Sequence, residues 1–290
     1  MAKQKSTTTA AGQAPTSDRP PKATKTAKAS KTAKTTSSKK ATAKVTMAAA
    51  AGGKMVPIVM EGDSWERLPN FGAKALPIVG GTGSDLERAL TAQGFEVENL
   101  AYWGDRLAEI VSKKDYLTAL VDTGRKHFLL GGGGNDLLSE GRLAKYIRLY
   151  TPGMAAADYL KPLFWSDLAR VLSDYDIAIN DVAKTPGLDD VHIYVHGYDY
   201  ARPMKLGWLG QPFEQMGIDD FHSDLQNAIV KIMIDAFNDG LQALDAKYAR
   251  VHWVDFRNMV GNRWHDELHP RREAFTDLAA KMAATIRSHA

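Results

Sequence analysis

Ser64, within Gly62-Asp63-Ser64, and the late pair Asp266 and His269, within Asp266-Glu267-Leu268-His269-Pro270, carry the reactive chemistry of this sequence. A serine hydroxyl is a weak nucleophile and needs an adjacent base to take its proton. An imidazole titrates near neutrality, so His269 can accept that proton and later return it to a leaving alcohol. Asp266, three residues earlier, can accept from the other ring nitrogen and hold the tautomer. The chain has no cysteine, which excludes disulfides and thiolate chemistry. Its eight histidines include no H-E-x-x-H motif, and neither a metal nor a cofactor is read from them.

Residues this far apart must be gathered by a scaffold. Met55 to Met60 (MVPIVM) is a short apolar run suited to a buried parallel strand. Phe95 to Leu100, His127 to Leu130, Val191 to His196 and Val251 to Asp255 read as four further strands. Between them, helices are expected at Ser84 to Gln93, with Ser84 and Glu87 as a capping box, at Arg106 to Ser112 and at Asp115 to Thr123. A long helical region from Ala155 to Val182 carries Pro162, expected to break or kink it. Phe221 to Tyr248 is strongly helical, and a last helix runs from about Arg271 to His289. Such alternation implies a mainly parallel five-stranded sheet with helices on both faces. Functional residues of an open α/β sheet gather beyond the carboxyl ends of its strands. The segments there are 61–65, 101–106, 131–136, 197–203 and 257–269.

Four of those five segments carry hydrolase parts: Gly62-Asp63-Ser64, Gly104 in NLAYWGDR, Gly133-Gly134-Asn135-Asp136, and Asp266-x-x-His269-Pro270. In this order, each after an expected strand, they resemble the four sequence blocks of the SGNH (GDSL-like) serine hydrolases. The resemblance implies a flavodoxin-like three-layer α/β/α sandwich and an esterase with Ser64 as nucleophile, His269 as base and Asp266 as its partner. It also implies an oxyanion hole from the backbone N–H of Ser64, the N–H of Gly104 and the side-chain amide of Asn135. The second block departs from the family pattern, because Trp103 and Arg106 stand where small residues are common. No G-x-S-x-G occurs, so the chain is not an α/β-hydrolase of the nucleophile-elbow type.

Trp65, Trp103 and Trp264 sit at the motif edges and are expected to line a pocket with His196 and Tyr198. Met204 to Gly217, glycine-rich and apolar, stands where a lid or specificity insert would sit. The substrate class that follows is a small-molecule, lipid or sugar ester, with hydrolysis and acyl transfer both open.

Residues 1–53 are a different polymer. Up to residue 46 they hold ten lysines and Arg19 against the single acid Asp18, whereas the remainder of the chain is acidic overall. With almost no bulky apolar residue to bury, this arm is expected to be disordered, and 54–290 to form the catalytic domain. A basic arm suits non-specific contact with nucleic acid or another polyanion, and a non-catalytic protein acting through that arm is the alternative function. No run of about 18 apolar residues occurs and no apolar stretch follows the first lysines, so a soluble, cytoplasmic protein is expected. LPIVGGTGSDLERAL, with Gly81 and Gly83, approaches a dinucleotide-binding turn, but Leu86 occupies the position of the third glycine.

Overall fold

The computed structural model describes residues 54–68 and 84–290. The basic arm and the turn holding Gly81 and Gly83 lie outside the described residues. Five strands form one sheet: β1 (Val56–Glu61), β2 (Phe95–Asn99), β3 (His127–Leu130), β4 (His192–His196) and β5 (Val251–Val254). Their spatial order is β2-β1-β3-β4-β5 and every pairing is parallel. The expected mainly parallel α/β/α sandwich is therefore what the chain forms. Burial explains the strand sequences. Central β3 (HFLL) is buried along its whole length, whereas edge strand β2 alternates, with Glu96 exposed on its outer face. Charge on an edge discourages pairing with another chain.

The helices are α1 (Leu86–Thr91), α2 (Leu107–Lys113), α3 (Asp115–Thr123), α4 (Gly134–Leu138), α5 (Arg142–Tyr146), α6 (Pro162–Lys184), α7 (Gly210–Gln215), α8 (Ser223–Lys247) and α9 (Arg272–Arg287). On one face α9 packs on α1 and β5; on the other α8 packs on β4, β5 and α6. Long helices bury a stripe at helical spacing, as in Phe164, Leu168, Val171, Tyr175, Ile179 and Val182 of α6. Among the described residues no helix is long and apolar enough to cross a membrane.

Two helix boundaries differ from the sequence expectation. Pro162 does not interrupt a helix but starts one, at the first position of α6, behind a separate 3-10 turn at Ala156–Tyr159. There the missing N–H costs nothing and the fixed φ is already helical. At α1 the cap is Asp85, whose carboxylate accepts the Arg88 N–H at 2.9 Å, and not Ser84. Both residue types cap helices well, and the choice falls to the one that also holds the Leu68 N–H, at 3.0 Å.

The sheet order reverses between β1 and β3. Crevices in open α/β sheets form at that switch point. Here it sets the turn holding Ser64 beside the turn holding Asn135.

Candidate active site

The first turn is built around buried acids. Asp63 Oδ1 accepts the Trp65 N–H at 3.0 Å, shaping the bend that presents Ser64. Its other oxygen takes the Tyr198 hydroxyl proton at 2.6 Å, and the Tyr198 oxygen accepts the Gly134 N–H at 3.0 Å. The ends of β1, β3 and β4 are thus tied by one chain of hydrogen bonds. Burial and the neighbouring Glu66 carboxylate push Asp63 up to about 6, against the Trp65 N–H and the Tyr198 hydroxyl.

Glu66 and His196 lie behind Ser64, each fully shielded at the side chain, with Glu66 Oε1 2.6 Å from His196 Nε2. Glu66 Oε2 also accepts the Asp63 N–H at 2.9 Å, and His196 Nδ1 donates to the Gly197 carbonyl at 2.9 Å. Burial alone would lower His196, but the charge and hydrogen bond of Glu66 outweigh it and hold this imidazole above its ordinary value. The glycines around the pair are required by space: a Cβ on Gly62 or Gly131 would come within 2.4 or 2.3 Å of the Glu66 carboxylate. At Gly133 (φ +97) the backbone is left-handed, and a Cβ would also meet Val171 at 2.8 Å.

From the other side, the loop after β5 folds back as a small hairpin. Trp264 bridges Pro270, and the His265 N–H donates to the His269 carbonyl at 2.8 Å. Asp266 Oδ1 accepts the N–H groups of Leu268 and His269, both at 2.8 Å. Its two oxygens lie 3.0 and 2.9 Å from His269 Nδ1. Burial would raise Asp266, but the His269 bond and charge, with the two amides, hold it below the usual carboxylate range. His269 Nε2 is 2.9 Å from Ser64 Oγ. Trp65 fastens the two turns together, its indole N–H donating to the Leu268 carbonyl at 2.9 Å.

Asn135 borders the same cleft as Ser64, and its side-chain amide donates to the Asp105 carbonyl at 3.0 Å. This bond holds the segment containing Gly104 (φ +84) close by, although Gly104 itself is exposed and does not border the cleft. Asp136 steadies the same segment by accepting the Leu107 N–H at 2.7 Å, at the start of α2. The cleft has a volume of about 70 Å³, with Leu138, Ala201, Ile234, Trp264 and Leu268 as its apolar wall.

Of the expected pocket residues, Trp65, Tyr198 and Trp264 border the cleft. Trp65 is 2% exposed and packs against Phe256, Phe275 and His196, so most of it is core. His196 does not line the pocket. It is buried beneath, because Glu66 offers the acceptor that a strand-end histidine would otherwise find in solvent. Trp103 does not line it either: it is 44% exposed and leans on Tyr102, beyond the cleft.

Besides Glu66, two contributors were not legible in the sequence. Glu267, 2% exposed, points away from its neighbours Asp266 and Leu268. It accepts the N–H groups of Leu209 and Gly210 at 2.9 Å each, and that of Met204. The glycine-rich 204–217 segment is therefore pinned to the Asp–His hairpin, with Leu209 and Phe213 buried, and is no loose lid. Trp208, on that segment, sets its ring edge-on to His269 with centroids 6.3 Å apart. An acid inside an acid-rich motif reads as solvated, and only the opposing loop reveals otherwise.

No family model matches the chain, and no curated protein matches it. Solved structures do resemble it. A protein assigned as a GDSL-like lipase, from Parabacteroides merdae, aligns at 14% identity and a TM-score of 0.48, over 80% of this chain and 96% of that one. A family 3 carbohydrate esterase from Clostridium thermocellum aligns at 16% identity and 0.44, over 81% and 98%. A catalytic mutant of an acetylxylan esterase from Geobacillus stearothermophilus aligns at 13% identity and 0.47, over 81% and 95%. At these identities and scores no activity or substrate is carried across from them.

Proposed function

We propose that this chain is an SGNH-type serine esterase that hydrolyses carboxylic esters through an acyl-enzyme on Ser64. The observation that carries the reading is the relay in which Ser64 Oγ lies 2.9 Å from His269 Nε2 while Asp266 holds Nδ1 at 2.9 Å. These distances fall within the hydrogen-bond reach that nucleophile, base and orienting acid require.

In the first step Ser64 Oγ attacks the ester carbonyl carbon as His269 Nε2 takes the hydroxyl proton. The negative charge that develops on the carbonyl oxygen is met by the N–H of Ser64 and the Asn135 amide, with the Gly104 N–H as third donor once substrate draws its segment inward. The tetrahedral intermediate collapses, the C–O bond to the alcohol breaks, and His269 returns the proton to the departing oxygen. Water then enters, His269 takes one of its protons, and hydroxide attacks the acyl carbon. When that intermediate collapses, the acid leaves and Ser64 recovers its proton. Asp266, kept ionised below the usual range, stabilises the imidazolium formed in both halves.

The apolar wall of Leu138, Ala201, Ile234, Trp264 and Leu268 gives an acyl group a surface to pack on beside Ser64. Hydrolysis of p-nitrophenyl esters of increasing acyl length, by wild type and Ser64→Ala, tests the reading. Activity on the series by wild type, lost in the variant, is expected. A wild type inactive on the whole series, or a variant that keeps its rate, would overturn it.

A further inference from the structure

Four histidines meet on one face of the sheet, at the opposite end from Ser64. His127, His192 and His252 come from β3, β4 and β5, and His289 arrives from the turn after α9. His192 and His196 end the same strand, so the cluster lies about 13 Å along β4 from the catalytic side. Three of the four converge. His192 Nδ1 is 2.8 Å from His252 Nε2, and the His252 and His289 rings stack with centroids 3.8 Å apart. The His192 and His289 rings are 5.1 Å apart. One ring nitrogen from each of the three lies within 4.8 Å of the other two.

We propose that His192, His252 and His289 bind a divalent transition-metal ion such as Zn²⁺, joining the end of α9 to β4 and β5. Imidazole nitrogen is the common protein ligand for such ions, and three of them leave one position of a tetrahedron to water. His289 carries the outer support that metal-binding histidines usually have. Its Nδ1–H donates to the Thr285 carbonyl at 3.0 Å, which fixes the tautomer and directs Nε2 to the cluster. His127 is held apart by the Tyr194 hydroxyl, 3.0 Å from its Nδ1, and is not a ligand. Burial and the neighbouring imidazoles hold His252 down to about 4, and burial holds His192 below its ordinary value, which favours the neutral rings that a metal requires.

Nitrogens around a tetrahedral Zn²⁺ stand roughly 3.3 Å apart, so His192 and His252 must open by about half an ångström. His289, exposed in the turn beyond α9, has the freedom to complete the set. As the ion binds, the proton between His192 Nδ1 and His252 Nε2 moves to the outer nitrogen of the ring that carries it, leaving both inner nitrogens to ligate. Arg250, with its guanidinium 3.5 Å from His192 Nε2, opposes the added charge, while Asp190 favours it. Histidine spacing in the sequence could not reveal this group, because its members come from three elements 60 and 37 residues apart.

The test is titration of the full chain with ZnCl₂ by calorimetry, beside His289→Ala, His252→Ala and His222→Ala. With no cysteine present, thiolates cannot contribute to the signal. One equivalent is expected for wild type and for His222→Ala, with affinity at least tenfold lower in each of the other two variants. Zn²⁺ should also raise the Tm of wild type and not that of His289→Ala, while that variant keeps its Ser64-dependent ester hydrolysis. His289 is exposed, so its replacement leaves the core intact even where His252→Ala does not fold. Wild type that binds no Zn²⁺ up to about 100 μM, or a His289→Ala variant that binds it equally well, would overturn the proposal.

Discussion

Replacing Glu66 perturbs the support beneath Ser64 and leaves Ser64 itself untouched. Its side chain is fully shielded and holds two partners, His196 Nε2 at 2.6 Å and the Asp63 N–H at 2.9 Å. Glu66→Ala leaves both without an acceptor. Removing one member of a buried charge pair costs about 3–5 kcal/mol. In a domain of this size each kcal/mol moves Tm by about 2–4 °C, so a fall of roughly 10 °C is expected. Glu66→Gln keeps an oxygen for the Asp63 N–H and offers an amide donor to a neutral His196, and should cost only about 1 kcal/mol. The two variants also differ in pH dependence. His196 is raised above its ordinary value by Glu66. Its stabilising contribution is therefore complete below about 6.5 and is lost as pH rises through the folded value. The margin of wild type over Glu66→Gln should shrink from pH 6 to pH 9. Urea unfolding of the three proteins across that range measures all of this. A Glu66→Ala variant within about 1 kcal/mol of wild type, or a margin that grows with pH, would refute the reasoning.

Glu61 is buried at the end of β1, and burial, with the charges of Asp105 and Asp115, pushes it up to about 7. Keeping it ionised costs stability above that pH, so Glu61→Gln should stabilise the protein at pH 8 by up to about 3 kcal/mol, and by nothing at pH 4, as urea midpoints will show. Glu267→Ala strands the N–H groups of Leu209 and Gly210. It should expose the 204–210 segment to limited proteolysis and raise KM more than it lowers kcat, as Trp208 loses its place beside His269. Asn135→Ala removes one of the proposed oxyanion donors and should lower kcat by about 10²–10³ with little change in KM, read from ester hydrolysis kinetics.

The scaffold was legible where local pattern and tertiary demand agree. All five strands fall where expected: the inner ones on short apolar runs, which a parallel sheet buried on both faces requires, and edge strand β2 on an alternating stretch. Ser64, Asp266 and His269 lie in compact motifs, and the structure brings those three within hydrogen-bonding distance. Pro162 and Ser84 misled for local reasons: proline both stops and starts helices, and two capping residues stood side by side. Glu66 and Glu267 could not be found, because a buried acid is recognised only by partners 130 and 58 residues away. Trp103 and His196 lie beside motif positions yet outside the cleft, since sequence adjacency fixes where a backbone goes and not which way a side chain turns.

The central claim is that Ser64 is a nucleophile activated by His269. Incubation with a fluorophosphonate probe, followed by intact mass and peptide mapping, tests it most directly. One adduct per chain, located on Ser64, is predicted, with none on Ser64→Ala and labelling slowed by about 10²-fold or more in His269→Ala. An unmodified wild type, or an adduct placed elsewhere in the chain, would contradict the account.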